Sequence, residues 1–225
     1  VTAGAPIVLA LETATKACSV AVLTPSVGAG RSVLADRRHA ETLMPMILAT
    51  LADASLRFAD LDVLAVGIGP GAFTSLRVGL AAAHGMALAT GLPCLGVSSF
   101  DAVALRLREA GRARLAALDS RRSELFVQAF DEDSDRPLTP PLVLHADRVA
   151  AHLPPRSWVV GGDAAATVAS ALLAAGVDAR VADDAASPDA DAVANLAQRR
   201  WCAGERPAGP PQPLYLRPPD TGPAR

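Results

Sequence analysis

The residues "LETATKACSVAVL" (Leu11–Leu23) and "LDSRRSELFVQAF" (Leu118–Phe130) are laid out to one plan. In each, an acid closes an apolar run and a short polar turn follows. The next apolar run opens six residues after the acid, at Cys18 after Glu12 and at Leu125 after Asp119. Apolar runs of strand length joined by polar turns read as β-hairpins. The elements around the two hairpins repeat as well. The first half predicts strands over Ile7–Thr13, Cys18–Thr24 and Arg31–Arg38, linked closely enough for an antiparallel meander. It continues with a helix over Thr42–Ala54, a strand over Leu61–Ile68, a helix over Ser75–Ala89, a strand over Cys94–Val97 and a helix over Ser99–Ala110. The second half predicts strands over Leu115–Asp119, Leu125–Phe130 and Leu142–Leu144, then a helix over Asp147–His152. A strand over Trp158–Gly161, a helix over Ala164–Ala175, a strand over Ala179–Ala182 and a helix over Asp189–Cys202 complete it. The order is βββαβα, extended by a strand and a helix, run through twice. It predicts an α/β protein of two duplicated lobes, over residues 1–111 and 112–206, with a proline-rich tail over 207–225. A chance likeness of two hydrophobic hairpins is the alternative.

Within the first lobe, Leu43, Ile47 and Leu51 mark one face of a helix, with Met44 and Leu48 beside it and Pro45 in the first turn. "GIGPGAFTSLRVG" (Gly67–Gly79) joins a strand to a helix of small residues, the setting in which glycines often cradle a phosphate. No Gly-Lys-Ser/Thr follows, so it is not a P-loop. Gly67, Gly69 and Ala72 fit a dinucleotide fingerprint, but "LPCLGVSS" beyond it holds no acid for a ribose. A structural turn fits as well: Pro70 fixes φ, Gly71 permits positive φ, and Thr74 or Ser75 caps the helix. In the tail, Leu214–Leu216 is expected to dock on the body around the single tyrosine, Tyr215.

The composition narrows the chemistry. The chain is 51% hydrophobic but only 4% aromatic, so its core is built from Ala, Val and Leu. A net charge of −2 argues against an electrostatic grip on nucleic acid. Cys18, Cys94 and Cys202 are far apart, which suggests neither a zinc site nor a disulfide framework. The N-terminal stretch has no basic region of the signal-peptide kind, and no apolar run is long enough to span a bilayer. A soluble cytoplasmic protein without a membrane partner is the expectation.

Few residues suggest catalysis. His39 and Glu41 are close in sequence, but the position one helical turn past His39 is Leu43. No metal site is expected, and His39 reads as a surface or capping residue. No G-x-S-x-G elbow occurs. Glu12 and Asp119 are the best acid pair; in a duplicated fold they would face each other across the cleft and could position a magnesium–phosphate group, or each could simply cap a turn. Thr13 and Arg121 belong to the same candidate cleft. The arginines at 106, 108, 112, 114, 121 and 122 have no interleaved aromatics and read as a solvated surface.

Taken in order, "VLALETATKACSVAVL", "RRHAETLMPMI", "LAVGIGPGAFTSLRVGLAAAHGMALATGLPCLGVSSFDAVA", "LAALDSRRSELFVQAF" and "PLYLRP" resemble the TsaB family, also called YeaZ. The resemblance runs over nearly the whole chain, with "HAETLMP" and "GPGAFTSLRVG" its most specific parts. It implies the duplicated actin-like, Hsp70-like ATPase fold of RNase H-like lobes. It also implies a non-catalytic scaffold that activates TsaD, the enzyme that threonylcarbamoylates a tRNA adenosine next to the anticodon. Further implied are a TsaE-like ATPase as a third component, a homodimer in isolation, and tRNA contact only through the complex. ATP or ADP and magnesium would enter only in that complex, with no cofactor for the chain alone. TsaD-like enzymes bind metal through HxxxH; here His39 is followed by Leu43, so the second ligand is missing. Active relatives carry Asp and glycine where this chain has Glu12 and Ala14, and a side chain at Ala14 would crowd a phosphate. Family interfaces use the helices of the first lobe, which makes Leu43, Met44, Ile47, Leu76, Leu80 and Ala83 interface candidates, or else members of the lobe's own core. An independent ATP-dependent phosphotransferase of the same fold is the alternative function.

Overall fold

The computed structural model describes residues 4–183 and 187–217. The first half runs β1 (Val8–Glu12), β2 (Ala17–Leu23), β3 (Gly28–Leu34), α1 (His39–Asp53), β4 (Val63–Gly67), α2 (Phe73–Thr90), β5 (Cys94–Val97) and α3 (Ser99–Arg106). The second runs β6 (Ala113–Asp119), β7 (Leu125–Phe130), β8 (Leu142–Leu144), β9 (Trp158–Gly161), α4 (Ala165–Ala174), β10 (Ala179–Val181) and α5 (Ala190–Cys202). The sheets have the orders β3-β2-β1-β4-β5 and β8-β7-β6-β9-β10, so each strand of one has its counterpart in the other. In both, an antiparallel meander is followed by two parallel strands. This is the duplicated α/β architecture that the repeated hairpins predict, and the actin-like fold that the resemblance implies.

The central strands of each sheet are buried on both faces, and strand alternation sorts their side chains. In β1, Leu9 and Leu11 face α1 and α2, while Val8 and Ala10 face α5. In β6, Leu115 and Ala117 belong to the α4 side, while Ala116 and Leu118 face α3. The last helix of each half therefore crosses over. α5 covers the first sheet, α3 covers the second, and the two helices pack on each other. This exchange joins the halves through two core clusters.

Several local expectations differ from the structure. α1 starts at His39, three residues before the expected Thr42, so Pro45 lies inside the helix rather than in its first turn. α2 begins at Phe73 behind Ala72, which makes no side-chain cap, so neither Thr74 nor Ser75 caps it. α3 does cap on Ser98, whose Oγ accepts from the Phe100 N–H at 3.1 Å, but it stops at Arg106 because Leu107 turns out of the helix to bury its side chain. The expected helix over Asp147–His152 is two 3-10 turns, Ala146–Arg148 and Ala150–His152; six residues ahead of Pro154 and Pro155 are too few to nucleate an α-helix readily. Arg114 is not part of a solvated surface. It is fully buried on β6, where its guanidinium donates to the carbonyls of Ala104, Asp131 and Ser134. Those bonds tie α3 to the second sheet and compensate the buried charge.

Candidate functional site: the cleft between the lobes

A cleft of about 1030 Å³ lies between the lobes. Four turns line it: Thr15 and Lys16 between β1 and β2, Asp36 and Arg37 between β3 and α1, Pro70–Ala72 ahead of α2 together with its first residues Phe73–Ser75, and Ser120–Arg122 between β6 and β7. The tail adds Leu214–Arg217 along one side. Asp36, Arg37 and Arg121 hold left-handed backbone, with φ of 33°, 74° and 62°. Such conformations are costly for residues with side chains and collect at functional clefts.

The expected acid pair does not meet here. Alternation puts Glu12 in phase with Val8 and Ala10, so it points under α5 and α3, and only 1% of it is exposed. Its Oε1 accepts from the Ala14 N–H at 2.6 Å and its Oε2 accepts from the Ser99 hydroxyl at 3.0 Å. Gly67 on the adjacent β4 lets the carboxyl sit there, because a Cβ at that position would overlap it. Burial raises the Glu12 pKa to about 7, against the lowering pull of those hydrogen bonds. Asp119, by contrast, alternates with Leu118 and falls in phase with Leu115 and Ala117 on the α4 side. It is partly exposed, accepts from the Arg121 N–H at 2.7 Å and pairs with the Arg121 guanidinium at 2.9 Å. Asp163 accepts from the Asp119 N–H at 2.8 Å, and its pKa is raised mainly by burial. Of Glu12, Thr13, Asp119 and Arg121, only Arg121 lines the cleft.

The first residues of the β1–β2 turn are likewise spent inside the protein. Thr13 is fully buried and its hydroxyl donates to the Ser75 carbonyl at 2.8 Å. The Ala14 carbonyl accepts from the Ala72 N–H at 2.7 Å. Gly71 packs so closely that a Cβ would overlap that carbonyl. Its φ is not positive, so Gly71 is required for close approach rather than for its backbone angle; the positive φ belongs to Gly69, at 88°. The glycine turn therefore serves as architecture: it clamps the β1–β2 hairpin. The Glu12 carboxyl, the Thr13 hydroxyl and the Ala14 carbonyl have protein partners, whereas Thr15 and Lys16 of the same turn line the cleft. His39 is buried rather than on the surface. Its Nε2 lies 3.1 Å from the Thr15 carbonyl and 3.2 Å from that of Ala17, bracing the same turn.

Of the six candidate interface residues, Leu43, Ile47, Leu76, Leu80 and Ala83 lie within the core of their own lobe, at 5% exposure or less. Met44 is 41% exposed. Sequence reasoning passed over Leu48, exposed one turn after Met44 on α1, and Leu88, which is 90% exposed on α2. Their signal was an apolar residue off the periodic face. No described helix is long and apolar enough to cross a membrane.

Residues 33–204 match the family described as "TsaD: tRNA N6-adenosine threonylcarbamoyltransferase". The structure of YeaZ from Pseudomonas aeruginosa superposes with a TM-score of 0.79 at 29% identity, covering 94% of this chain and all of that one. The chain belongs to the TsaD family, as a member of its TsaB (YeaZ) branch. It is 36% identical over 130 residues to the Escherichia coli "tRNA threonylcarbamoyladenosine biosynthesis protein TsaB", a match that spans 57% of this chain and 56% of that protein. The chain thus matches little more than half the length of this relative. Similarity to an uncharacterized Mycobacterium bovis protein is also 36%, over 219 residues, 96% of this chain and 94% of the relative.

Proposed function

We propose that the chain is a non-catalytic partner that activates a TsaD-type enzyme in the threonylcarbamoylation of a tRNA adenosine. One observation carries the reading: the β1–β2 turn, where an ATPase of this architecture would seat phosphate, has its Glu12 carboxyl, Thr13 hydroxyl and Ala14 carbonyl bonded within the protein. The exposed apolar residues of α1 and α2 supply a surface for a partner. Met44 and Leu48 lie one turn apart on α1, and Ala81, Gly85 and Leu88 are exposed on α2. A small-residue helix beside a Met/Leu ridge suits close helix packing. On this reading a TsaD-type subunit docks on α1 and α2 in the cytoplasm, and two copies of this chain use the same face when the enzyme is absent. ATP or ADP with magnesium, a TsaE-like ATPase and tRNA join only through the assembled complex.

The test is co-elution with a TsaD-type enzyme. Leu48→Glu leaves the thermal midpoint of the free chain within about 3 °C, because its side chain is exposed, and reduces association at least about tenfold. Unchanged association by the folded variant would remove this face from the interface. Leu80→Arg is a poor probe, since it places a charge in the lobe's own core.

A further inference from the structure

The crossing helices α3 and α5 join the lobes, but neither lines the cleft. A different segment borders the cleft and touches both lobes: the C-terminal strap Pro211–Arg217. Its first part is fastened to the first lobe. Pro211 is buried, and its carbonyl lies 2.9 Å from His84 Nε2 on α2. The Leu214 N–H donates to the Ile68 carbonyl at 2.8 Å, continuing from the end of β4. Tyr215 stacks on Phe73 with ring centroids 5.4 Å apart, and its hydroxyl accepts from Arg77 Nε at 2.8 Å. Arg77 also lies over the Phe73 ring, 3.7 Å from its centroid. The second part is fastened to the other lobe. Leu216 packs against the cluster that holds Phe100, Leu118 and Phe126, and the Arg217 guanidinium donates to the Glu124 carboxylate beyond the β6–β7 turn.

The geometry points to a latch: the strap holds the two lobes at one angle across the cleft, in addition to the crossing helices α3 and α5, and its release lets the cleft open. The division of contacts is the argument. Three polar contacts, a buried proline and an aromatic stack hold residues 211–215 on the first lobe, so the strap stays there. One partly exposed ion pair and one leucine hold its end on the second lobe, and they form the weaker, releasable half. A partly exposed ion pair is only weakly stabilising, so losing it shifts an open–closed equilibrium by roughly two- to fivefold. The inference does not depend on the partner proposed above, since it concerns the free chain.

The experiment measures the distance between the lobes. Spin labels on cysteines placed at Val27 and Leu173, both exposed, on different lobes and off the α1/α2 face, are read by pulsed EPR in a Cys202→Ser background. The parent is expected to give one narrow distance distribution. Arg217→Glu and Glu124→Arg, each checked for folding by circular dichroism, should broaden it, with the open population rising roughly two- to fivefold. The double variant, which restores the pair with its charges exchanged, should return the narrow distribution. An unchanged distribution in the folded single variants overturns the latch. So does a double variant as broad as the singles.

Discussion

The two hairpins that announce the fold differ by one residue in phase. Leu11–Glu12 and Leu118–Asp119 look equivalent in sequence, each an acid after a leucine at the end of a strand. In the sheets, Leu11 belongs to the face under α1 and α2, whereas Leu118 belongs to the face under α3. The acids that follow them therefore go opposite ways. Glu12 is driven inward beneath the crossing helices, and Asp119 emerges beside Arg121 and Asp163. Because side chains alternate with a period of two, a slip of one residue exchanges the faces completely. The duplicated lobes keep their strand order while one carboxyl becomes a buried strut and the other a surface contact. The clamps on the hairpins repeat with the same looseness. Ala72 N–H reaches the Ala14 carbonyl in the first lobe, and Ala164 N–H reaches the Ala117 carbonyl in the second, before the acid rather than after it.

Breaking the clamps should have the largest effect. A Cβ at Gly162 would overlap the Ala117 carbonyl, and its φ of 105° suits only glycine, so Gly162→Ala should cost about 3–5 kcal/mol in urea unfolding. Gly71→Ala meets the Ala14 carbonyl without the strained φ and should cost about 2–3 kcal/mol. Equal costs would mean that the φ strain in the second lobe is relieved elsewhere.

Titration of Glu12 comes next. Its folded pKa of about 7 lies above the ordinary 4.5, so the folded chain keeps a proton that the unfolded chain releases. The associated stability is full below about pH 4.5, falls as pH rises to 7 and levels off above it. Over that window the loss should approach about 3 kcal/mol. Glu12→Gln, whose amide can accept from Ala14 and donate to Ser99, should remove that part of the pH dependence. The variant should therefore gain on the parent as pH rises from 5 to 8. A difference between the two that does not change with pH would show that Glu12 is ionised in the fold throughout. The smallest effect belongs to the surface acid: Arg121→Ala, which removes the partly exposed pair with Asp119, should cost no more than about 0.5 kcal/mol.

Element order, both sheets and the duplication could be read from periodicity, because long apolar runs between polar turns allow few alternatives. Pleat phase could not, because it depends on where each strand enters its sheet. Helix ends were read least well where tertiary contacts set them: Leu107 leaves α3 to fill the core, and α2 starts on Ala72 because the Ala72 N–H is bonded to Ala14. The candidate interface shows a further limit. A 3.6-residue stripe such as Leu43 and Ile47 marks the face a helix buries in its own lobe, so apolar residues off the stripe, Met44 and Leu48, remain for a partner. The tail was legible as far as the docking of Leu214–Leu216, seen in the Ile68 bond and the Phe73 stack; its residues beyond Arg217 lie outside the described part.

The proposed function holds that the chain acts as a partner rather than a catalyst and seats no nucleotide by itself. Calorimetric titration of magnesium–ATP into the isolated chain at pH 7.5 tests it most directly. The account predicts no saturable heat from the chain alone, with binding appearing only when a TsaD-type enzyme is present. Saturable one-to-one binding by the chain alone, abolished by Glu12→Gln, would contradict it.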